Sequence, residues 1–109
     1  MAYDEALAQR IRAALSDVHE LTEKKMFGGI SFLLQGHLAC GVSANSLMVR
    51  IGPGGAAAAL TQPAVRPLDM AGRPMKGWVL VEPDGLQSEQ DLQGWVEQGV
   101  AFARSLPPK

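Results

Sequence analysis

Cysteine, long apolar runs and an excess of one charge are what this 109-residue sequence lacks. Its one cysteine, Cys40, cannot form an intrachain disulfide, which suits a reducing cytoplasm. The apolar runs span only a few residues, far short of the ~20 that a membrane-spanning helix requires. The N-terminus has no basic segment followed by an apolar one, so a signal peptide is not predicted. We therefore expect a soluble, cytoplasmic protein with no membrane partner.

Charge and aromatic content limit the kind of partner. Ten basic and eleven acidic residues give a net charge of −1, which excludes the chain-wide positive field of many nucleic-acid-binding proteins. Aromatic residues make up 6%, too few to predict a platform on which bases stack. The hydrophobic fraction of 47% is ordinary for a globular protein, and the length suffices to bury a core. A single domain over residues 1–109 is expected.

The segment 24–51 is the centre of the predicted fold. Apolar and polar side chains alternate along it, as Ile30, Phe32 and Leu34 do with Ser31, and this pattern is typical of half-buried strands. Tight turns, one of them at Gln35-Gly36, separate the runs, so an antiparallel meander is the simplest topology. The strands are predicted at residues 30–35, 37–43 and 46–51, preceded by a charged edge strand in the second half of 19–27.

Helices are predicted at the two ends of the chain. Apolar residues recur at helical spacing over residues 3–15, and again after Ser88, whose side chain is expected to cap the last helix. Gly99 in mid-helix suggests a close approach to the sheet or to another helix. Together these elements predict an α+β fold: a two-layer arrangement of an antiparallel β-sheet, as a meander of three to four strands plus a later strand, packed by the N- and C-terminal helices.

The segment between the meander and the last helix is rich in glycine and proline. The Gly-Pro-Gly-Gly run at 52–55 is interpreted as a stop, and the four alanines after it as a short helix. Residues 65–68 are expected to be extended at an edge. Because Pro74 is hard to place in regular structure, 72–77 is predicted to be a loop. Residues 78–81 are apolar on both faces, as in a central strand.

No set of residues has the spacing of a catalytic or metal site. His37 and Cys40, three positions apart on one strand, are expected on opposite faces, and no second cysteine is present. The acidic pairs near the two helix starts are explained by capping. Gly28-Gly29 fits a bulge or turn better than an anion-binding nest, since no phosphate-loop motif accompanies it. We expect no enzyme activity, catalytic residue, metal or cofactor.

Basic residues are concentrated in the strand and loop half of the sequence. If the strands fold together, one edge of the sheet would be positive and could meet an acidic partner or phosphate; the competing interpretation is ordinary solvated charge. The six basic residues are Lys24, Lys25, Arg50, Arg66, Arg73 and Lys76.

The block Lys25-Met26-Phe27-Gly28-Gly29 begins a pattern that resembles the N-terminal domain of the TfoX/Sxy family. An apolar strand, a glycine turn at Gly36 and the strand from Leu47 to Arg50 continue it. The segment 73–78, Arg-Pro-Met-Lys-Gly-Trp, and the end of the last helix at 102–106 complete it. The resemblance covers nearly the whole chain.

That resemblance implies a sheet with helices against it, and a role in regulation. Longer members of the family regulate natural competence, assist a cyclic-AMP receptor protein at promoters and carry a second, helical domain. The resemblance brings no catalytic residues. We therefore expect a stand-alone, non-enzymatic TfoX N-terminal domain that regulates transcription or competence through an unknown protein partner, with the transcription machinery as a candidate.

The predicted partner contacts combine the basic residues with the glycine pair. One alternative is direct nucleic-acid binding by the same basic edge; another is a small-molecule pocket or enzyme that uses Met75 and Trp78 beside the sheet. Homodimerisation through a sheet edge or a helix face also remains open. The predicted contact residues are Lys24, Lys25, Gly28, Gly29, Arg50, Arg73 and Lys76.

Overall fold

The computed structural model describes residues 3–19, 21–26, 29–70 and 73–107 of the chain. Within these ranges the α+β prediction is confirmed. No described helix is long and apolar enough to cross a membrane. A single 3₁₀ turn occupies Pro83–Gly85. The helices are α1 (Glu5–Ala14), α2 (Pro53–Ala59) and α3 (Glu89–Arg104); the strands are β1 (Leu21–Met26), β2 (Gly29–Leu34), β3 (His37–Ser43), β4 (Ser46–Arg50), β5 (Val65–Met70) and β6 (Arg73–Val81).

The described strands form one antiparallel sheet in the order β1-β2-β3-β4-β6-β5. The first four strands are the predicted meander, and β1 lies at an edge, as its charged sequence suggested. The Gln35-Gly36 turn joins β2 to β3 with both residues at positive φ, 52° and 86°, which matches the right-handed twist of a hairpin. Strand β6 lies between β4 and β5, so the prediction of an interior strand at 78–81 is confirmed.

All three helices contact the same face of the sheet, which we call the helix face. A Cβ on Gly99 of α3 would lie 3.0 Å from Cγ2 of Val49, and one on Gly55 of α2 would lie 3.5 Å from Cγ1 of Ile51. Arg12 of α1 pairs with Glu23 of β1 at 2.9 Å. Because side chains alternate along a strand, these contacts fix which residues point to the helices.

The main core lies between the helix face and the helices. Phe32, Val49 and Val79 from the sheet are fully buried there against Ile11 of α1 and Leu92 of α3. Complete burial of such side chains contributes about 1.5–3 kcal/mol each. Capping fixes the ends of the helices: Asp4 accepts a hydrogen bond from the Leu7 amide at 3.2 Å, and Ser88 accepts one from the Asp91 amide at 3.0 Å.

The predicted loop at 72–77 is wrong, because β6 begins at Arg73. Pro74 pairs with Asp69 of β5, whereas the pairing of β6 with β4 covers only residues 78–81. Proline lacks an amide hydrogen, and here β4 makes no demand for one. At the end of β4 the Gly77 carbonyl accepts hydrogen bonds from the amides of Ile51 and Gly52, at 2.9 and 3.0 Å.

The predicted stop at 52–55 is confirmed for the strand, because β4 ends at Arg50, but the helix that follows begins earlier than predicted. Helix α2 begins at Pro53, so Gly54 and Gly55 lie inside the helix. Proline is well tolerated in a first helical turn because the amide there has no helical partner. Gly52, at φ 87°, makes the turn out of β4.

Candidate interaction surface

The sheet face opposite the helices carries no helix among the described residues, and we call it the open face. Since Val49 points to α3, its neighbour Met48 points to the open face, together with Gly41 and Leu80, which pair with it on β3 and β6. Register extends the surface in both directions. The open face includes Lys24, Ser31, Leu33, Leu38, Gly41, Met48, Arg66 and Leu80, and by the same alternation Trp78 lies at its end on β6.

Met48 forms the centre of the open face. It is only 5% exposed, yet it is not part of the main core cluster. A Cβ on Gly41 would lie 3.0 Å from the Met48 Cε and 2.6 Å from the Ile30 carbonyl oxygen. The missing side chain at Gly41 therefore leaves the room in which the Met48 side chain lies flat on the sheet.

Leucine side chains surround this centre. Leu33 and Leu38 face each other across β2 and β3, and Leu80 lies beside Met48 on β6. All three are partly exposed. Ser31 is buried on this face. No buried side-chain nitrogen or oxygen in the described part of the chain, that of Ser31 included, lacks a hydrogen-bond partner. The open face therefore presents apolar surface with no unsatisfied polar side chain buried beneath it among the described residues.

The charge of the open face comes from its two edges. Lys24 on β1 is opposite Ser31 and is exposed, with no ion-pair partner among the described residues. At the other edge the Arg66 Nε lies 3.0 Å from Glu82 Oε1, which neutralises it locally. Lys25 is opposite Ile30, a core residue, and so belongs to the helix face.

The predicted basic residues are not brought to one edge. Lys24 and Lys25 lie on β1, and Lys76 lies on β6, four strand spacings or roughly 19 Å away across the sheet. The guanidinium carbon of Arg50 lies 5.2 Å from the ring centroid of Phe102 on α3, a cation–π contact within the protein. Arg73 lies on β6, and its side chain is outside the described set.

Of the predicted glycine pair, Gly28 lies outside the described residues and Gly29 is the first residue of β2. A Cβ on Gly29 would clash with the Val42 carbonyl oxygen of β3. Gly29 is not among the residues with positive φ. Gly29 is required for the close approach of β3. The predicted turn or nest also involves Gly28, which is outside the described residues, and stays a prediction.

His37 and Cys40 lie on the same face, contrary to prediction, because a bulge shifts the register of β2 and β3 between Phe32 and Leu33. They are nevertheless not a reactive pair. His37 Nε2 forms a hydrogen bond with the Pro107 carbonyl oxygen, and Cys40 is 1% exposed. Burial raises the pKa of the Cys40 thiol to about 12, which keeps it neutral. The described residues contain no group of three or more side chains suited to a metal ion.

Charges on the helix side of the molecule pair with one another. Arg12 reaches Glu5 on its own helix at 3.0 Å and Glu23 on β1 at 2.9 Å. Its hydrogen bond to Glu5, with one from Tyr3, lowers the pKa of the Glu5 carboxyl. Arg10 joins α1 to α3 through Glu89 at 2.9 Å and the Leu86 carbonyl at 2.7 Å. These groups join α1 to β1 and to α3.

A second feature, the α2 groove, lies between α2 and the β5–β6 pair. Its volume is about 270 Å³. Lys76 is the one charged side chain among the described residues that line it, and Leu60 is the one large apolar side chain in the described chain that is exposed, at 39%. The lining residues are Pro53, Ala56, Ala57, Leu60, Pro67, Leu68, Lys76, Gly77 and Trp78.

The sequence predicts Lys76 as a partner contact and Trp78 as part of a small-molecule pocket, and the structure places both at the α2 groove. The sequence did not predict the α2 side of the groove, because the alanines of a short helix are small and Leu60 stands alone after them. The sequence did not predict the apolar part of the open face, because the leucines of that face lie on three different strands.

The fold and surfaces define a small α+β domain with helices on one face of an antiparallel sheet. The model of the TfoX N-terminal domain family matches residues 13–103, and the chain belongs to that family. No curated protein matches the chain, and no solved structure matches it.

Proposed function

We propose that this TfoX N-terminal domain is a non-enzymatic interaction module that regulates transcription or competence by binding a protein partner. The observation that carries the proposal is the composition of the open face. Partly exposed leucines lie around a buried Met48, and Lys24, which has no ion-pair partner in the described part of the chain, lies at one edge. A partner with apolar side chains and a neighbouring acidic residue complements this surface.

The open face suits a protein better than nucleic acid. Lys24 and Lys25 point to opposite faces, Arg66 is paired with Glu82, and Arg50 lies against Phe102. The described residues therefore lack the line of free cations that would follow a phosphate backbone. Phe32, one of the few aromatic residues, is in the core rather than available for stacking.

The pocket hypothesis has less support. The α2 groove is smaller than the ~300–1,000 Å³ of typical small-molecule sites, and one lysine does not provide converging polar groups. Trp78 lines this groove, but no acid, histidine, cysteine, serine or threonine is among the described residues that line it. The non-enzymatic proposal is consistent with that lining.

Site-specific photo-crosslinking in living cells tests the proposal. A photoreactive amino acid replaces Leu33 on the open face, and the matched control places it at Gln98, an exposed position on α3. We expect a discrete protein adduct from position 33 that is absent from position 98. The purified adduct partner must then bind the domain, and Lys24→Glu must weaken that binding.

Two results would contradict the proposal. One is the same set of adducts from both positions, which would show contact by collision rather than by a defined surface. The other is a nucleic-acid adduct at position 33 together with an affinity that falls steeply with salt, which would support the nucleic-acid alternative instead.

A further inference from the structure

The α2 groove is a second surface, which meets the open face at Trp78, two positions before Leu80 on β6. The proposed function makes no use of its other lining residues. Its floor is apolar: Ala56 of α2 and Leu68 of β5 are buried, at 6% each. Leu60 lines it and is exposed. A large apolar side chain in water beside an apolar groove gains free energy when another apolar group covers both.

The charge at the groove is specific. Lys76 is exposed and has no ion-pair partner among the described residues. Among the described residues that line the groove none is acidic. An occupant that brings a carboxylate next to an apolar group would satisfy both features at once.

The size of the groove limits the occupant. A volume of about 270 Å³ that opens to solvent can anchor a large side chain but cannot enclose a whole ligand. Small-molecule sites bury most of their ligand in ~300–1,000 Å³. A peptide segment needs only one anchored side chain, with its neighbours lying along the rim.

We propose that the α2 groove binds a short segment of a partner protein in which a large apolar residue is adjacent to an acidic residue. The apolar side chain lies against Leu60, Leu68 and Trp78, and the carboxylate pairs with Lys76. Leu60 and Lys76 line the groove and are not among the open-face residues named above, so variants at these two positions test the groove independently of the open face.

Nuclear magnetic resonance titration of the full chain tests it directly, because Trp78 lines the groove and its indole N–H gives a separate signal. The probes are four eight-residue peptides of otherwise identical sequence with Leu-Glu, Leu-Lys, Ala-Glu or Ala-Lys at the centre. We expect the Leu-Glu peptide to shift the Trp78, Ala57 and Lys76 signals. Loss of leucine should weaken binding by about tenfold or more, since burying it contributes about 1.5–3 kcal/mol.

Variants assign the contacts. Lys76→Glu should lower the affinity for the Leu-Glu peptide by about fivefold and raise that for the Leu-Lys peptide, as expected for an exposed ion pair. Leu60→Glu should abolish the preference for leucine. Ala58→Glu, on the same helix but outside the groove lining, is the matched control and should leave binding unchanged.

Three outcomes would overturn the proposal. They are the absence of groove shifts with every peptide, equal binding of Leu-Glu and Leu-Lys peptides to the unsubstituted chain, and Trp78 shifts that depend on the concentration of the domain alone. The last would identify a second copy of this chain as the occupant. Adducts at position 33 that persist in Leu60→Glu would show that the open face acts independently.

Discussion

Gly99 of α3 packs directly against Ala39 of β3: a Cβ on Gly99 would lie 2.5 Å from the Ala39 carbonyl oxygen. A contact this short with backbone cannot be relieved by rotating a side chain. The sequence predicted a close approach at this position, and the structure identifies the partner strand. The glycine sets how closely α3 lies on the sheet.

Gly99→Ala should therefore destabilise the protein. Alanine gains about 1 kcal/mol over glycine in helix propensity, but overpacking against the sheet costs about 1–3 kcal/mol. Gly94→Ala on the same helix is the control, because nothing lies within 4 Å of a Cβ there, and it should be stabilising. Urea unfolding measures both free energies; equal stabilisation by the two substitutions would show that α3 is not held at this distance.

The burial of Cys40 predicts slow thiol chemistry. With a pKa raised to about 12, the native thiol carries little thiolate at about pH 8, and it is shielded from reagent. Alkylation by iodoacetamide should be at least about a hundredfold slower in the native than in the unfolded chain, because it requires opening of the core. The rate is followed by mass spectrometry. Similar rates in both states would contradict the burial of this residue.

The ion pair of Arg12 with Glu5 is expected to make a pH-dependent contribution to stability. The folded-state pKa of Glu5 lies below the ordinary value of 4.5, so the contribution is present above about pH 4.5 and is lost as the pH falls through the lower, folded value. Arg12→Met should lower the thermal midpoint at about pH 7 and have less effect at about pH 3. Arg104→Met, on the exposed surface of α3, is the control and should show no such pH dependence.

The burial of the Met48 side chain predicts that the open face contributes to folding stability as well as to binding. Met48→Ala should cost about 2 kcal/mol of unfolding free energy, at the lower end for a buried methionine, because one side of the cluster meets solvent. Met48→Leu keeps the apolar volume and should cost less than about 1.5 kcal/mol. Chemical denaturation distinguishes the two. An unchanged free energy in Met48→Ala would mean that the side chain does not pack on Gly41.

Most of the fold was predictable because periodicity and turn residues are local signals. The alternation at Ile30, Phe32 and Leu34 and the Gln35-Gly36 turn both predicted structure that depends on neighbouring residues only. The start of β6 could not be found in this way. A proline such as Pro74 is usually absent from interior strands. It is tolerated here because β4 ends before it reaches Pro74, and the end of β4 is set by a distant part of the chain.

The candidate surface was less predictable for the same reason. The sequence predicted that Lys24 and Lys76 lie at one basic edge, but the strand order places them far apart. The register shift after Phe32 decided the face of His37, and no single-residue signal announces such a bulge. The open face exists because all three helices pack on the other side of the sheet, and only the three-dimensional structure shows this.

Lys24 and Lys25 offer the most direct measurement of the central claim, since they are adjacent, equally charged and exposed, but lie on opposite faces of β1. The affinity of the partner captured at position 33 should fall by about fivefold in Lys24→Glu, as for an exposed ion pair, and should be unchanged in Lys25→Glu. Equal losses in the two variants, or a loss in Lys25→Glu alone, would contradict the assignment of partner binding to the open face.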